Sequence, residues 1–164
     1  MLFFIFDLDG TITKKETLPI IANHFHINKE MDTLTKETVK GNIPFIESFI
    51  RRVGMLRNLP VSEISELIEK VELYHKIHEF ISKNSNNCIV ATGNLDCWLD
   101  SIMKKIGCTF YSSEAIVSNN KVKKIKSILK KENLVSELQN KGHMVVFIGD
   151  GNNDVEAMRL ADIS

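Results

Sequence analysis

The sequence has no charge bias: 21 Lys and Arg balance 21 Asp and Glu, for a formal net charge of zero. Without a basic excess, nothing in the composition favours nucleic acid or an anionic membrane as a partner. No apolar run approaches the roughly 18 residues that a membrane-spanning helix needs. The apolar opening "MLFFIF" has no basic leader and runs straight into Asp7, so it does not read as a signal peptide. Cysteines are few. Cys88, Cys97 and Cys108 are odd in number and share no CxxC spacing, which predicts reduced thiols in a cytoplasmic protein. There is no internal repeat and no low-complexity segment. What remains is a 164-residue chain, 43% hydrophobic, of a size for one domain or one domain with a modest insertion.

Three apolar runs stand out. Residues 2–6, "CIVAT" (88–92) and "MVVFIG" (144–149) are continuous enough to be strands buried on both faces of a parallel sheet. A weaker run lies at 109–111. Between them Leu99, Ile102, Met103 and Ile106 space like one face of a helix, as do Leu134, Val135 and Leu138. Alternating strands and helices predict an α/β fold of three layers, Rossmann-like, with its chemistry beyond the carboxyl ends of the strands. Residues 15–75 break the alternation and read as helical throughout. Leu18, Ile21 and Phe25 make one stripe. Phe45, Ile46, Phe49, Ile50 and Val53 make a second, with Pro44 at the helix start, and Ile64, Leu67, Ile68 and Val71 a third. Such a block is too long for a crossover. It predicts a helical cap over residues 15–75, inserted into a core made of 1–14 and 76–164.

The polar text falls where the strands end. "FDLDGT" puts Asp7 at the end of the first strand and Asp9 on the turn after it; "GDGNND" puts Asp150 at the end of the last strand, with Asp154 four residues on. Two carboxylates sharing a site can divide the work, one ionised as a nucleophile, the other holding or passing a proton. The additional acids demand a countercharge. Hard carboxylate oxygens at a strand edge suit Mg²⁺, which bridges readily to a phosphate. Either stretch alone is compatible with an ordinary acidic turn, and the second with a Ca²⁺ loop. Both at the ends of buried strands argue for a site.

"DLDGT", the Thr92-Gly93 pair after the second long strand, a lysine upstream of the last strand and "GDGNND" resemble, in order, the four motifs of the haloacid dehalogenase superfamily. The resemblance spans essentially the whole chain. It implies that Asp7 attacks a phosphoryl group to give an aspartyl-phosphate, and that Asp9 protonates the leaving oxygen and then activates water. Thr92 would bond the phosphoryl oxygens. Asp150, Asp7 and the Asp9 main-chain carbonyl would hold Mg²⁺, with Asp154 in support. The motif lysine falls on Lys131, which opens the "ENLVSEL" helix; Lys130 is the alternative. The text "ETLPIIA" and "FIESFIRRVGMLRNLP" further resembles the phosphoserine phosphatases. That implies Glu16 for a substrate amino group, Arg52 for its carboxylate and Phe45 as an apolar lid, with Gly93 and Asn153 completing the substrate contacts. From the residues alone, Glu16 reads equally as a helix-start glutamate, and Arg52 as a side chain lying along its apolar stripe.

Three departures from the family pattern bear on function. The second motif is "TGN" rather than serine and two glycines, so Asn94 brings a side chain where backbone would meet substrate. The usual Thr-Pro-Gly where the cap returns is replaced by "VELYHKIHEF". The sequence ends at "RLADIS", where the family continues with another strand and helices; residues 162–164 read as the start of that strand, leaving a sheet edge bare. The resulting expectation is a Mg²⁺-dependent phosphomonoesterase, monomeric or homodimeric, acting on O-phosphoserine or a similar small phosphorylated metabolite. The alternatives are a phosphatase or phosphotransferase for another small phosphate, or a shortened, non-catalytic binding module. His75 and His78, and His24 and His26, read as surface residues. Trp98 reads as packing at or near the crevice, and Cys97 has no histidine to activate it.

Overall fold

The computed structural model describes all residues, 1–164. Five strands make one sheet: β1 (Leu2–Phe6), β2 (Cys88–Leu95), β3 (Thr109–Ser118), β4 (Lys121–Ser127) and β5 (Met144–Ile148), in the order β4-β3-β2-β1-β5. The strands β3, β2, β1 and β5 are parallel, and β4 alone runs antiparallel. Alternate residues supply the two faces, as the pleat requires. Ile5, Ile89, Ala91, Val145 and Phe147 pack with Leu134, Val135 and Leu138 of α7 (Lys131–Asn140) and Ala157 of α8 (Val155–Leu160). Phe6, Cys88 and Val90 face the other way, toward Ile81 of α5 (His75–Lys83) and Ile102, Met103 and Ile106 of α6 (Asp100–Ile106). This is the expected three-layer α/β architecture with a mostly parallel sheet.

The expected run at 109–111 extends to residue 118, and "KVKKIKS" forms a further strand, β4. The turn between them is Asn119-Asn120, both at positive φ (51° and 59°), the backbone a tight two-residue hairpin needs. Its tip docks on the helical segment. Asn120 O accepts the Val61 N–H at 2.8 Å, and Asn120 Oδ1 accepts the Ser62 N–H at 3.0 Å. The hairpin thereby supplies the cap that α4 (Val61–Glu69) lacks in its own sequence.

Between β1 and α5 lie four helices: α1 (Thr17–His24), α2 (Asn28–Val39), α3 (Phe45–Leu56) and α4. The segment leaves and returns side by side. Thr13 bridges Leu73 in antiparallel fashion, the Lys14 N–H donates to Glu72 O at 2.8 Å, and the Tyr74 N–H to Ile12 O at 2.9 Å. The pairing stands where the family's Thr-Pro-Gly turn was missed. In α3 the buried face is Ser48, Phe49, Val53 and Leu56, while Ile46 and Ile50 are half exposed, contrary to the five-residue stripe. Ile46 and Ile50 lie on the flank of the helix, beside the buried row of Phe49, Val53 and Leu56. Trp98 is completely buried and is not part of the crevice lining, so it does not overhang the crevice. His78 gives its ring nitrogen to Lys105 O at 2.9 Å.

At the far edge, Ile163 pairs in parallel with Val146, and the Phe147 N–H donates to Ile163 O at 2.9 Å. The outer edge of β5 is therefore partly covered, not bare. No helix is long and apolar enough to cross a membrane.

Candidate active site

The carboxyl ends of β1, β2 and β5 meet at one cavity of about 470 Å³. Asp7, Asp9, Thr92, Gly93, Asp150 and Asn153 line it from the sheet side. Glu16, Phe45 and Arg52 line it from the helical segment. Every residue singled out in the sequence for substrate or chemistry is brought to this cavity, except Lys131 and Asp154, which lie beneath its floor. There, Lys131 Nζ donates to Asp7 Oδ1 at 2.5 Å and to Asp154 Oδ1 at 2.6 Å. Lys131 is 3% exposed as the first residue of α7, whereas Lys130 outside the helix is exposed.

Local backbone explains the placement. Asp7 continues β1, its N–H donating to Ile148 O at 2.8 Å. Gly10 then turns the chain at φ +75°, and a Cβ there would sit 2.6 Å from Asp150 Oδ2. Only glycine allows both the turn and the approach of the two acidic loops. At Gly149 the limit is space: a Cβ would meet Asp154 Oδ2 at 2.5 Å. The Asp154 carboxylate also accepts the Gly151 N–H at 3.1 Å, and Thr11 Oγ1 donates to Asp150 Oδ1 at 3.1 Å.

Carboxylate oxygens of Asp7, Asp150 and Asp154 lie within 4.8 Å of one another. Three hard oxygen donors converging beside a single buried ammonium fit a divalent cation. The Asp9 side chain is not in this group. Its Oδ1 accepts the Thr17 N–H at 2.7 Å and its Oδ2 the Asn94 amide at 2.9 Å. Asn94 thus turns its amide onto Asp9 and Thr17. Sequence reasoning did not foresee this partnership, nor the wall that Thr35, Thr38, Val39 and Ile43 add to the cavity from the α2–α3 side. Their spacing gives no motif; only the fold brings them here.

Burial pushes the Asp7 carboxyl up to about 7, opposed by Lys131 and reinforced by the charge of Asp154. Asp9 is raised by burial too, against the Thr17 and Asn94 hydrogen bonds. For Lys131, burial pulls down, but the two aspartates outweigh it and hold the ammonium above its ordinary value. Burial and the Asp9 and Asp150 charges raise Glu16, with Arg52 opposing. The Arg52 guanidinium lies 5.8 Å from the Phe45 ring centroid, and burial lowers its pKa against Glu16 and Asp9. Burial and Asp96 push the Cys97 thiol up to about 12, so it is inert.

A stability prediction follows from Asp7. Between its ordinary 3.8 and about 7, the folded protein keeps a proton that the unfolded chain has lost. Asp7 therefore costs stability as pH rises through that window. In EDTA, the melting temperature of wild type relative to Asp7→Asn is expected to fall between pH 5 and pH 8, and an added divalent cation to flatten that difference. A relative melting temperature that rises with pH contradicts the burial of an uncompensated carboxylate.

A family model for haloacid dehalogenase-like hydrolases matches residues 2–162. The chain belongs to that family. It is 26% identical over 172 residues to the phosphoserine phosphatase of Methanocaldococcus jannaschii, covering 97% of this chain and 82% of the relative. The phosphoserine phosphatase of Archaeoglobus fulgidus is 24% identical over 163 residues, covering 92% of this chain and 47% of the relative. Among solved structures, a phosphoserine phosphatase described as a phospho-aspartyl intermediate analogue superposes with a TM-score of 0.82 at 25% identity, covering 98% of this chain and 82% of the other. A hydrolase of the family from Salmonella enterica serovar Typhi gives a TM-score of 0.87 at 21% identity, covering 98% and 60%. The chain is accordingly a phosphoserine phosphatase-like phosphoric monoester hydrolase.

Proposed function

We propose that the protein hydrolyses a small phosphorylated amine or amino acid, O-phosphoserine foremost, through a phosphorylated Asp7. The observation that carries the reading is the buried Lys131 joined to Asp7 and Asp154 under a cavity whose mouth holds Arg52 and Glu16. Lys131 works against the burial that raises Asp7, and its charge offsets that of the phosphate. Asp7 attacks phosphorus, the ester P–O bond breaks, and the departing alkoxide takes a proton from Asp9. Water then gives a proton to Asp9 and attacks the same phosphorus, releasing phosphate and restoring Asp7. Thr92 and Gly93 bond the phosphoryl oxygens. Asp7, Asp150 and the Asp9 carbonyl, with Asp154 in support, would hold Mg²⁺, which would supply charge neutralisation for the phosphate.

In this reading, residues 15–75 act as the cap on a core of 1–14 and 76–164. Glu16 takes the substrate ammonium, Arg52 its carboxylate, Phe45 closes the apolar side, and Asn153 completes the contacts. The enzyme works in the cytoplasm as a monomer or homodimer. A second reading, a larger phosphomonoester, is favoured by the wall of Thr35, Thr38, Val39 and Ile43. The cavity volume lies in the range that drug-sized ligands fill.

Phosphate release from a panel of phosphomonoesters with Mg²⁺ tests the reading. Arg52→Ala is expected to lower kcat/KM for O-phosphoserine about 10- to 100-fold, the scale of one charge-assisted contact. It should leave p-nitrophenyl phosphate within about threefold. Equal losses on both would sink the amino-acid assignment, and a larger ester that outpaces O-phosphoserine would favour the second reading.

A further inference from the structure

The reaction above gives the Asn94 side chain no task. Asn94, at the end of β2, is 6% exposed. Its Nδ2 donates to Asp9 Oδ2 at 2.9 Å and to Thr17 Oγ1 at 2.7 Å. Its backbone N–H donates to Thr92 Oγ1 at 3.2 Å. Thr17, the first residue of α1, returns to Asp9 through its own N–H at 2.7 Å. The three residues close a ring: Asn94 to Asp9, Thr17 to Asp9, Asn94 to Thr17. With each oxygen held from a different element, the Asp9 carboxylate is fixed in rotation as well as in place.

The other end of the amide is telling. Asn94 Oδ1 is buried with no hydrogen-bond partner. Desolvating a carbonyl without pairing it is unfavourable, and alanine or glycine at this position would avoid the cost. A residue kept only for packing has no reason to bear it. We infer that Asn94 is a positioning residue that aims the Asp9 carboxylate at the leaving-group oxygen and ties that aim to the first turn of α1. The inference rests on the reading of Asp9 as the acid of phosphoryl transfer. Asn94 exchanges no proton and forms no bond to substrate.

Two esters, two substitutions of Asn94 and an Asp9→Asn background separate this role from packing. kcat/KM reports events up to the first irreversible step, here transfer to Asp7. An alkyl leaving group needs a proton as it departs, and p-nitrophenolate does not. Asn94→Ala is expected to lower kcat/KM about 10- to 100-fold for O-phosphoserine, or for the best alkyl phosphate of the panel. That is part of the 10²–10⁴-fold effect typical of a positioned acid. For p-nitrophenyl phosphate the change should stay below about threefold. In an Asp9→Asn background the same substitution should cost less than about twofold more, because two residues acting through one group do not add. Asn94→Ser is too short to reach both acceptors. It should show the same ester-selective loss, and it serves if Asn94→Ala does not fold. Equal losses on both esters, or an additive loss with Asp9→Asn, overturn the inference. If the wild type releases phosphate from neither ester, the reading of Asp9 falls first and the positioning role with it.

Discussion

Replacing Lys131 with methionine is expected to destabilise the protein by about 3–5 kcal/mol, the cost of breaking a buried ion pair from one side. In a chain of 164 residues this lowers the melting temperature by roughly 10 °C. The reason is what the substitution leaves behind. Asp7 and Asp154 are 7% and 0% exposed at their side chains, and Lys131 is the cation that touches both. Methionine fills the space but not the charge. Two carboxylates then face one another with no ammonium between them, and at least one must take up a proton to remain folded. The loss should accordingly be smaller at pH 5 than at pH 8, and a divalent cation should recover part of it. Arginine should not rescue, since its planar fork cannot occupy the tight position of a point charge 2.5 Å and 2.6 Å from two oxygens. Lys130→Met, one residue away and exposed, is the control and should change nothing. Thermal melts with and without Mg²⁺ decide the matter; a Lys131→Met melting temperature within about 2 °C of wild type would mean the triad is not compensated as described.

The second large effect separates stability from turnover. Asp7→Asn keeps an oxygen able to accept the Lys131 bond and removes a carboxylate that burial holds up at about 7. Above pH 7 and without metal, the variant should be as stable as wild type or more so. Phosphate release should nonetheless fall on the order of 10⁴-fold or more, the scale of losing a nucleophile. Wild type quenched in acid during turnover should carry a covalent phosphoryl group that hydroxylamine removes, and Asp7→Asn should carry none. A variant retaining more than about 1% of wild-type turnover would take the nucleophile's role away from Asp7.

Different physical signals made different parts of this molecule readable in advance. The strands β1, β2 and β5 were legible because they are buried on both faces and therefore uniformly apolar. The acids were legible because they stand at the ends of those runs. The edge strand β4 was not. One face of it is solvated by lysines, and its buried contribution is little more than Val122, with Ile125 partly covered. The pattern reads as charge rather than as alternation. The hairpin signal was nevertheless present in Asn119-Asn120. The ring of Asn94, Thr17 and Asp9 was beyond reach, since its members lie 77 and 85 positions apart and nothing in their spacing links them. Ile46 and Ile50 illustrate the opposite error: an apolar periodicity marks one side of a helix but says nothing about how far around the helix the core reaches.

The Thr13–Leu73 bridge has a consequence for how such a chain can vary over generations. The backbone departs toward α1 and comes back before α5 at adjacent positions, already joined by hydrogen bonds. Lengthening, shortening or exchanging everything in between alters a loop whose two ends do not move, and the cost of closing a loop grows only slowly with its length. Asp7, Lys131 and Asp154 depend on none of those residues for the bonds among themselves. The wall of the cavity that Glu16, Phe45 and Arg52 line can therefore change while the bonds among Asp7, Lys131 and Asp154 stay as they are.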